Sequence, residues 1–185
     1  MYDPYLSAAE LLRQLRDGSL SAEELMRQTL ARIEAHNPAL NAIVALRPPE
    51  DLIAEAQEAD RRRASGQHPE ALHGLPMAVK DLANVAGIPS TQGSPLFRDF
   101  VPEQDELFVS RLRAAGAILI GKTNSPEFGL GSHTFNPVYG ATRNPFDARR
   151  SCGGSSGGAA VALSAGLVAL ADGSDMMGSL RNPAG

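Results

Sequence analysis

Three residues have types and settings that could together carry out acyl transfer. They are Ser155 in the turn Gly153-Gly154-Ser155-Ser156-Gly157-Gly158, Ser179 in Gly178-Ser179-Leu180-Arg181, and Lys80 in the apolar run Met77-Ala78-Val79-Lys80. Ser179 follows Ser155 by 24 positions. A serine hydroxyl is a weak nucleophile until a base takes its proton. The four histidines, His36, His68, His73 and His133, all precede the serines, and none lies in a serine motif. Gly153-Gly154-Ser155-Ser156-Gly157 matches the nucleophile-elbow pattern, but that elbow needs an acid and then a histidine later in the chain. A lysine can replace the histidine. Burial disfavours its charged form, lowers its pKa and makes it a base near neutral pH. On the residues alone, Lys80 also reads as a strand-end ammonium reaching water, and a Gly/Ser stretch as a linker. Against the linker, an alanine-rich helix follows this one at once. Glycines at such a junction allow close approach and aim free N–H groups at an oxyanion.

Other chemistries fit less well. Gly116-Ala117-Ile118-Leu119-Ile120-Gly121-Lys122-Thr123 matches the P-loop pattern, but a strand fills the interval where a phosphate-wrapping loop belongs, and Asn124-Ser125-Pro126 follows in place of a helix. One cysteine and four scattered histidines give no metal-ligand spacing, so no metal and no cofactor is expected. Cys152 reads as a small buried residue. Asp175 and Arg181 are near enough in sequence to pin a loop, or to form a plain surface ion pair.

The elements that must position these groups change character along the chain. The first 65 or so residues read as helical. Ser7-Ala8-Ala9-Glu10 and Ser21-Ala22-Glu23-Glu24 fit the capping box, with Leu11, Leu12 and Leu15 on one face and Leu25, Leu30 and Ile33 on the next. Asn37-Pro38 is expected to end the second helix, and Pro48-Pro49 to open a third that fades at Ser65-Gly66. Residues 66–185 alternate strand and helix. Met77–Val79 reads as a strand, and Asp105 as the cap of a helix reaching Ala115 with Phe108, Val109 and Leu112 inward. Ala117–Ile120 reads as a strand, Gly158–Gly166 as a helix, and Leu167–Ala171 as another strand. This alternation predicts an α/β fold with a mixed central sheet flanked by helices.

At 185 residues the chain can bury a sizeable core as one domain. Its 17 Lys and Arg against 21 Asp and Glu give a formal charge of −4, which argues against nucleic acid as the main partner. Arg61-Arg62-Arg63 reads as a solvated helix end. The start, Met1-Tyr2-Asp3-Pro4, lacks the features of a signal peptide, no apolar run approaches spanning length, and the single cysteine forms no internal disulfide. The expectation is a cytoplasmic protein without membrane contact.

Leu75-Pro76-Met77-Ala78-Val79-Lys80-Asp81, Gly121-Lys122-Thr123-Asn124, Asn144-Pro145-Phe146, Gly153 to Gly158, and Gly173-Ser174-Asp175 through Gly178-Ser179-Leu180-Arg181 resemble, in this order, the amidase signature family. The resemblance covers nearly the whole chain. It implies amide hydrolysis by a Ser-Ser-Lys triad: Ser179 as the acyl-forming nucleophile, Ser155 as a bridging serine with a cis peptide bond, and Lys80 as the base. It also implies an oxyanion hole of the Met176, Met177, Gly178 and Ser179 N–H groups, with Ser156, Asp175 and Arg181 in support. The implied partner is a small-molecule amide, and a homo-oligomer is compatible with it. Two features depart from the family. Met177-Gly178-Ser179 stands where Gly-Gly-Ser is common, so Met177 is either strained at a positive φ or narrows the acyl pocket. Family members are also generally more than twice as long. The expectation is the N-terminal portion of an amidase signature domain, C-terminally truncated and unable to turn over amides alone. The glutaminase subunit of a tRNA-dependent amidotransferase and a catalytically inactive fragment stay open beside the amidase.

Overall fold

The computed structural model describes residues 3–66 and 70–185; His68 lies outside the described residues. Local chemistry starts the helices as the sequence predicts. Ser7 Oγ accepts the Glu10 N–H at 3.2 Å and opens α1, Ala8–Asp17; Ser21 Oγ accepts the Glu24 N–H at 3.0 Å and opens α2, Ala22–Leu40. The N-terminus of α2 has a second cap, since Asp60 accepts the Ala22 and Glu23 N–H groups at 2.9 and 3.0 Å. Asp60 belongs to α3, Pro49–Ala64, so the same contact locks two helices together.

The end of α2 differs from the sequence expectation. The helix runs through Asn37-Pro38 to Leu40 and closes at Asn41, whose φ is 52°. Proline in the last turn removes only one backbone bond, and Asn37 Oδ1 accepts the Ala42 and Ile43 N–H groups, each at 2.9 Å, to guide the chain out.

The main sheet has three strands in the order β1-β3-β2. In chain order they are β1, Ile43–Val44; β2, Pro76–Lys80; and β3, Ile118–Thr123. β1 runs antiparallel to β3 and β2 parallel to it, so the sheet is mixed. β1 also ties the helical N-terminal segment into the sheet of the later residues. Every residue of β2 and β3 is buried, as expected for a sheet covered on both faces. Alternation divides them. Ala78, Ile118 and Ile120 join the large core with Leu25, Met26 and Leu52, while Met77, Val79 and Leu119 face a smaller cluster with Val85, Ile88 and Val109. β4, Phe135–Asn136, and β5, Gly140–Ala141, form a separate hairpin.

Three further expectations are corrected. Asp105 does not cap the helix, which is α4, Leu107–Ala114, preceded by Glu106 with no side-chain cap bond. Asp105 instead accepts the Ala86 N–H at 2.7 Å and pairs with Arg113 Nε at 2.8 Å. On α4, Val109 is buried and Leu112 half-buried, but Phe108 is exposed, because one narrow face meets the sheet. Leu167–Ala171 does not form a strand. Only Ala171 bridges Ala78 in parallel, and beyond that bridge the Lys80 N–H is taken by the Asp172 carboxylate at 2.6 Å. A side chain thus ends the ladder where a carbonyl would have extended it.

α5, Gly157–Ser164, follows the Gly/Ser turn, and α6, Arg181–Ala184, is a single turn. α5 approaches the sheet so closely that a Cβ at Gly158 would collide with the Asn124 backbone and lie 2.8 Å from the Ala42 carbonyl oxygen. Gly158→Ala should therefore destabilise the fold by about 2–3 kcal/mol. Urea denaturation checks this; an unchanged midpoint would mean that the contact relaxes freely.

Candidate active site

Lys80 closes β2, and its side chain is 1% exposed despite its charge-bearing amine. A buried ammonium needs partners. Nζ donates to Ser155 Oγ at 2.8 Å, Ser156 Oγ at 2.9 Å and Ser174 Oγ at 2.9 Å. All three partners are neutral hydroxyls, so solvation is replaced only in part. Desolvation lowers the Lys80 pKa from 10.5 to about 8, against the pull of the Asp172 and Asp175 charges.

The turn that carries Ser155 and Ser156 is built around Thr134, whose Oγ1 donates to the Gly153 carbonyl at 2.9 Å and accepts the Gly157 N–H at 3.1 Å. A Cβ at Gly157 would overlap that Thr134 hydroxyl, so the position requires glycine. The Gly154–Ser155 peptide bond is cis. Ser155 and Ser156 are both buried. The hydroxyl of Ser156 donates to the Ser174 carbonyl and accepts the Ser174 N–H, both at 3.2 Å. Its proton is committed there, so towards Lys80 it acts as an acceptor.

The loop from Asp172 to Leu180 approaches the turn from the other side. The Ser156 N–H donates to the Ser179 carbonyl at 2.9 Å, which docks the two segments. The Ser179 hydroxyl makes no hydrogen bond to Ser155, but both residues line one cleft of roughly 720 Å³ with Leu82, Phe128, Leu130, Met176 and Met177. Asp175 organises the loop. Arg181 donates to it through Nε at 2.9 Å and Nη2 at 3.1 Å, and the Gly178, Leu180 and Arg181 N–H groups donate at 2.7, 3.2 and 3.1 Å. The Arg181 hydrogen bond, with these N–H bonds, holds the Asp175 carboxyl well below the usual carboxylate range. Among the described residues, the Met176, Met177 and Ser179 N–H groups find no acceptor, whereas that of Gly178 points at Asp175. The left-handed backbone falls on Gly178, φ 101°, and Met177 is not among the residues with positive φ. Its side chain is 88% exposed and unstrained by the backbone.

Two contributors were missed in the sequence. Ser174 lies in the quoted word Gly173-Ser174-Asp175, and Asp172 follows an apolar run; neither carries a local signal of meeting Lys80. A second buried lysine, Lys122, donates to the Ala83 carbonyl and to Ser90 Oγ at 3.0 Å, with Asp81 Oδ1 at 3.7 Å. Burial pushes its pKa down, opposed by Asp81. Gly121-Lys122-Thr123 continues β3 as buried strand. Cys152 is buried, and that burial pushes its thiol pKa up. Among the described residues, no group of three His, Cys, Asp or Glu could hold a metal ion, and no helix is long and apolar enough to cross a membrane.

A family model described as Amidase matches residues 24–185. The chain is 43% identical over 178 residues to indoleacetamide hydrolase of Bradyrhizobium diazoefficiens, covering 96% of this chain and 34% of that protein. It is 48% identical over 177 residues to the A component of the glutamyl-tRNA(Gln) amidotransferase of Cupriavidus metallidurans, covering 94% and 35%. Among solved structures, the native peptide amidase of Stenotrophomonas maltophilia superposes with a TM-score of 0.89 at 37% identity, covering 96% of this chain and 38% of that one. The 6-aminohexanoate cyclic dimer hydrolase gives 0.88 at 35% identity, covering 100% and 37%. The chain thus spans about a third of the length of the curated relatives it matches.

Asp175 holds three backbone N–H groups and a guanidinium, so Asp175→Ala should release the loop. Hydrogen exchange at the Gly178 and Leu180 amides should quicken by about tenfold or more, as expected when a local opening equilibrium shifts. Unchanged protection there would mean that other contacts hold the loop.

Proposed function

The chain belongs to the amidase signature family, and on that footing we propose that its site hydrolyses a carboxylic amide to an acid plus an amine or ammonia. Ser179 is the nucleophile, Ser155 the bridging hydroxyl and Lys80 the base. The observation that carries this reading is the buried Lys80 amine, 2.8 Å from Ser155 Oγ, behind a cleft that Ser155 shares with Ser179.

Neutral Lys80 has two N–H bonds and one lone pair. The N–H bonds satisfy Ser156 and Ser174, and the lone pair faces the Ser155 hydroxyl. On substrate binding the loop brings Ser179 against Ser155; such contacts are often loose in a free enzyme. Lys80 takes the Ser155 proton, Ser155 takes that of Ser179, and Ser179 Oγ bonds to the amide carbon. The carbonyl π pair moves to oxygen. That oxyanion faces the loop N–H groups of Met176, Met177 and Ser179, while the Gly178 N–H joins only if Asp175 yields it. One such donor is typically worth about 3–4 kcal/mol of barrier lowering. The proton then passes to the leaving nitrogen, the C–N bond breaks, and an acyl ester remains on Ser179. Water attacks the ester through the same relay, which releases the acid and restores the Ser179 O–H.

The glutaminase subunit of a tRNA-dependent amidotransferase is a second reading, favoured by the 48% identity to the Cupriavidus metallidurans protein. Ammonia release from glutamine, together with co-purifying partner proteins, would select it over release from simple amides.

Ser179→Ala in the active enzyme should lower turnover at least about a thousandfold and abolish labelling by a fluorophosphonate, since the acyl bond has nowhere to form. Label found on Ser155 would overturn the assignment. With Lys80 at about 8, only its neutral form acts, so kcat/KM should rise with pH and level off above that value. Lys80→Ala should remove the rising limb together with most activity. Met177→Gly should leave the protein folded and change the ratio of specificity constants between small and bulky acyl groups; an unchanged ratio would place the side chain outside the acyl pocket.

A further inference from the structure

Lys80 is surrounded by hydroxyls, so the charges that act on its proton lie one step further out. These are Asp172 and Asp175, both on the loop that follows Ala171; Asp81, next in the chain, and Lys122 of β3 are charged groups nearby that act on each other. Each has a different account. Asp81 accepts from Thr91 N–H at 3.0 Å and Thr91 Oγ1 at 2.6 Å, and it faces the Lys122 amine at 3.7 Å, which neutralises it. Asp175 is already matched by the bidentate Arg181. Asp172 has no ion pair of its own among the described residues. Its carboxylate accepts the Lys80 backbone N–H at 2.6 Å, in a half-buried position that the charges of both Lys122 and Lys80 reach.

We propose that Asp172 is the counter-charge of Lys80: a positioning residue that fixes the end of β2 and sets the pH at which the amine becomes a base. The contact anchors the backbone of the residue that presents Nζ, while the three hydroxyls hold Nζ itself. Charge balance supplies the second part. Of the two carboxylates that favour the protonated Lys80, Asp172 acts more strongly, and it lacks the guanidinium partner that Asp175 has, although it also feels Lys122. It opposes the burial that expels the proton, and the working pH of the amine is the result of the two. Burial pushes the Asp172 carboxyl up, while the Lys80 N–H bond and the Lys122 and Lys80 charges draw it back towards the ionised form.

The inference rests on the reading of Lys80 as the base. The test uses the active enzyme and the pH dependence of kcat/KM on an amide substrate. Asp172→Asn keeps a carbonyl oxygen for the Lys80 N–H but removes the charge. Its rising limb should move to lower pH by about one unit, as the loss of a nearby opposite charge predicts. Asp172→Leu removes the bond as well and should lower kcat at every pH. A limb that stays in place in a folded, active Asp172→Asn enzyme would overturn the proposal, as would equal loss at all pH values in both variants. If Asp172→Asn does not fold, the wild-type enzyme still decides. A half-buried carboxylate is weakly screened, so the midpoint should hold between about 0.02 and 0.5 M salt. A midpoint that falls with salt would assign the effect to exposed charges. A wild-type enzyme without Ser179-dependent labelling would remove the reading of Lys80 and this inference with it. Normal labelling with an unmoved limb would remove the inference alone.

Discussion

The whole arrangement depends on keeping an amine at the end of a buried strand. The Lys80 amine meets no carboxylate directly, only three hydroxyls drawn from two loops. A single hydroxyl could not compensate the loss of water, and three can do so only in part. That shortfall is what lowers the pKa of the amine. It also dictates much of the local architecture. The Gly153–Gly158 turn has to hold two serine oxygens at one atom, and the loop after Ala171 has to supply a third. Glycines occur where the backbones converge, and Thr134 braces the turn from behind.

Much of this was legible in the sequence, because several signals were local. The caps Ser7 and Ser21 announce their helices through a single hydrogen bond each, and Met77-Ala78-Val79 announces a buried strand through its apolarity. Lys80 stood out against that run, and Ser155, Ser156 and Ser179 stood out among glycines. What escaped depended on distant partners. Asp105 looks like a cap until Ala86 and Arg113 claim it. Leu167–Ala171 has the composition of a strand, yet pairing belongs to two segments, and Asp172 intercepts the next donor. Pro38 breaks a local rule at little cost, because it falls in a final turn. Asp172 and Ser174 are ordinary loop residues by sequence and become notable only when β2 arrives beside them.

The two buried lysines of the sheet make an instructive contrast. Lys80 and Lys122 both lie within fully buried strands, and burial lowers the pKa of each. Lys122 faces the Asp81 carboxylate and the Ala83 carbonyl beside one hydroxyl, so a counter-charge is at hand. Lys80 faces hydroxyls, which can accept from an ammonium or donate to an amine. The same residue type in the same sheet thus meets a carboxylate in one case and only hydroxyls in the other. The difference lies in the oxygen chemistry of the partners and not in depth.

The hydroxyls that meet the Lys80 amine lie 75, 76 and 94 positions along the chain from it. Contacts this remote in sequence form only after the intervening chain has closed its loops, and such closure is slow. The environment of the amine is thus complete only once those loops have closed. Until then Lys80 is solvated and, like any exposed lysine, keeps its proton at neutral pH. The lowered pKa of this lysine is therefore itself a product of correct assembly.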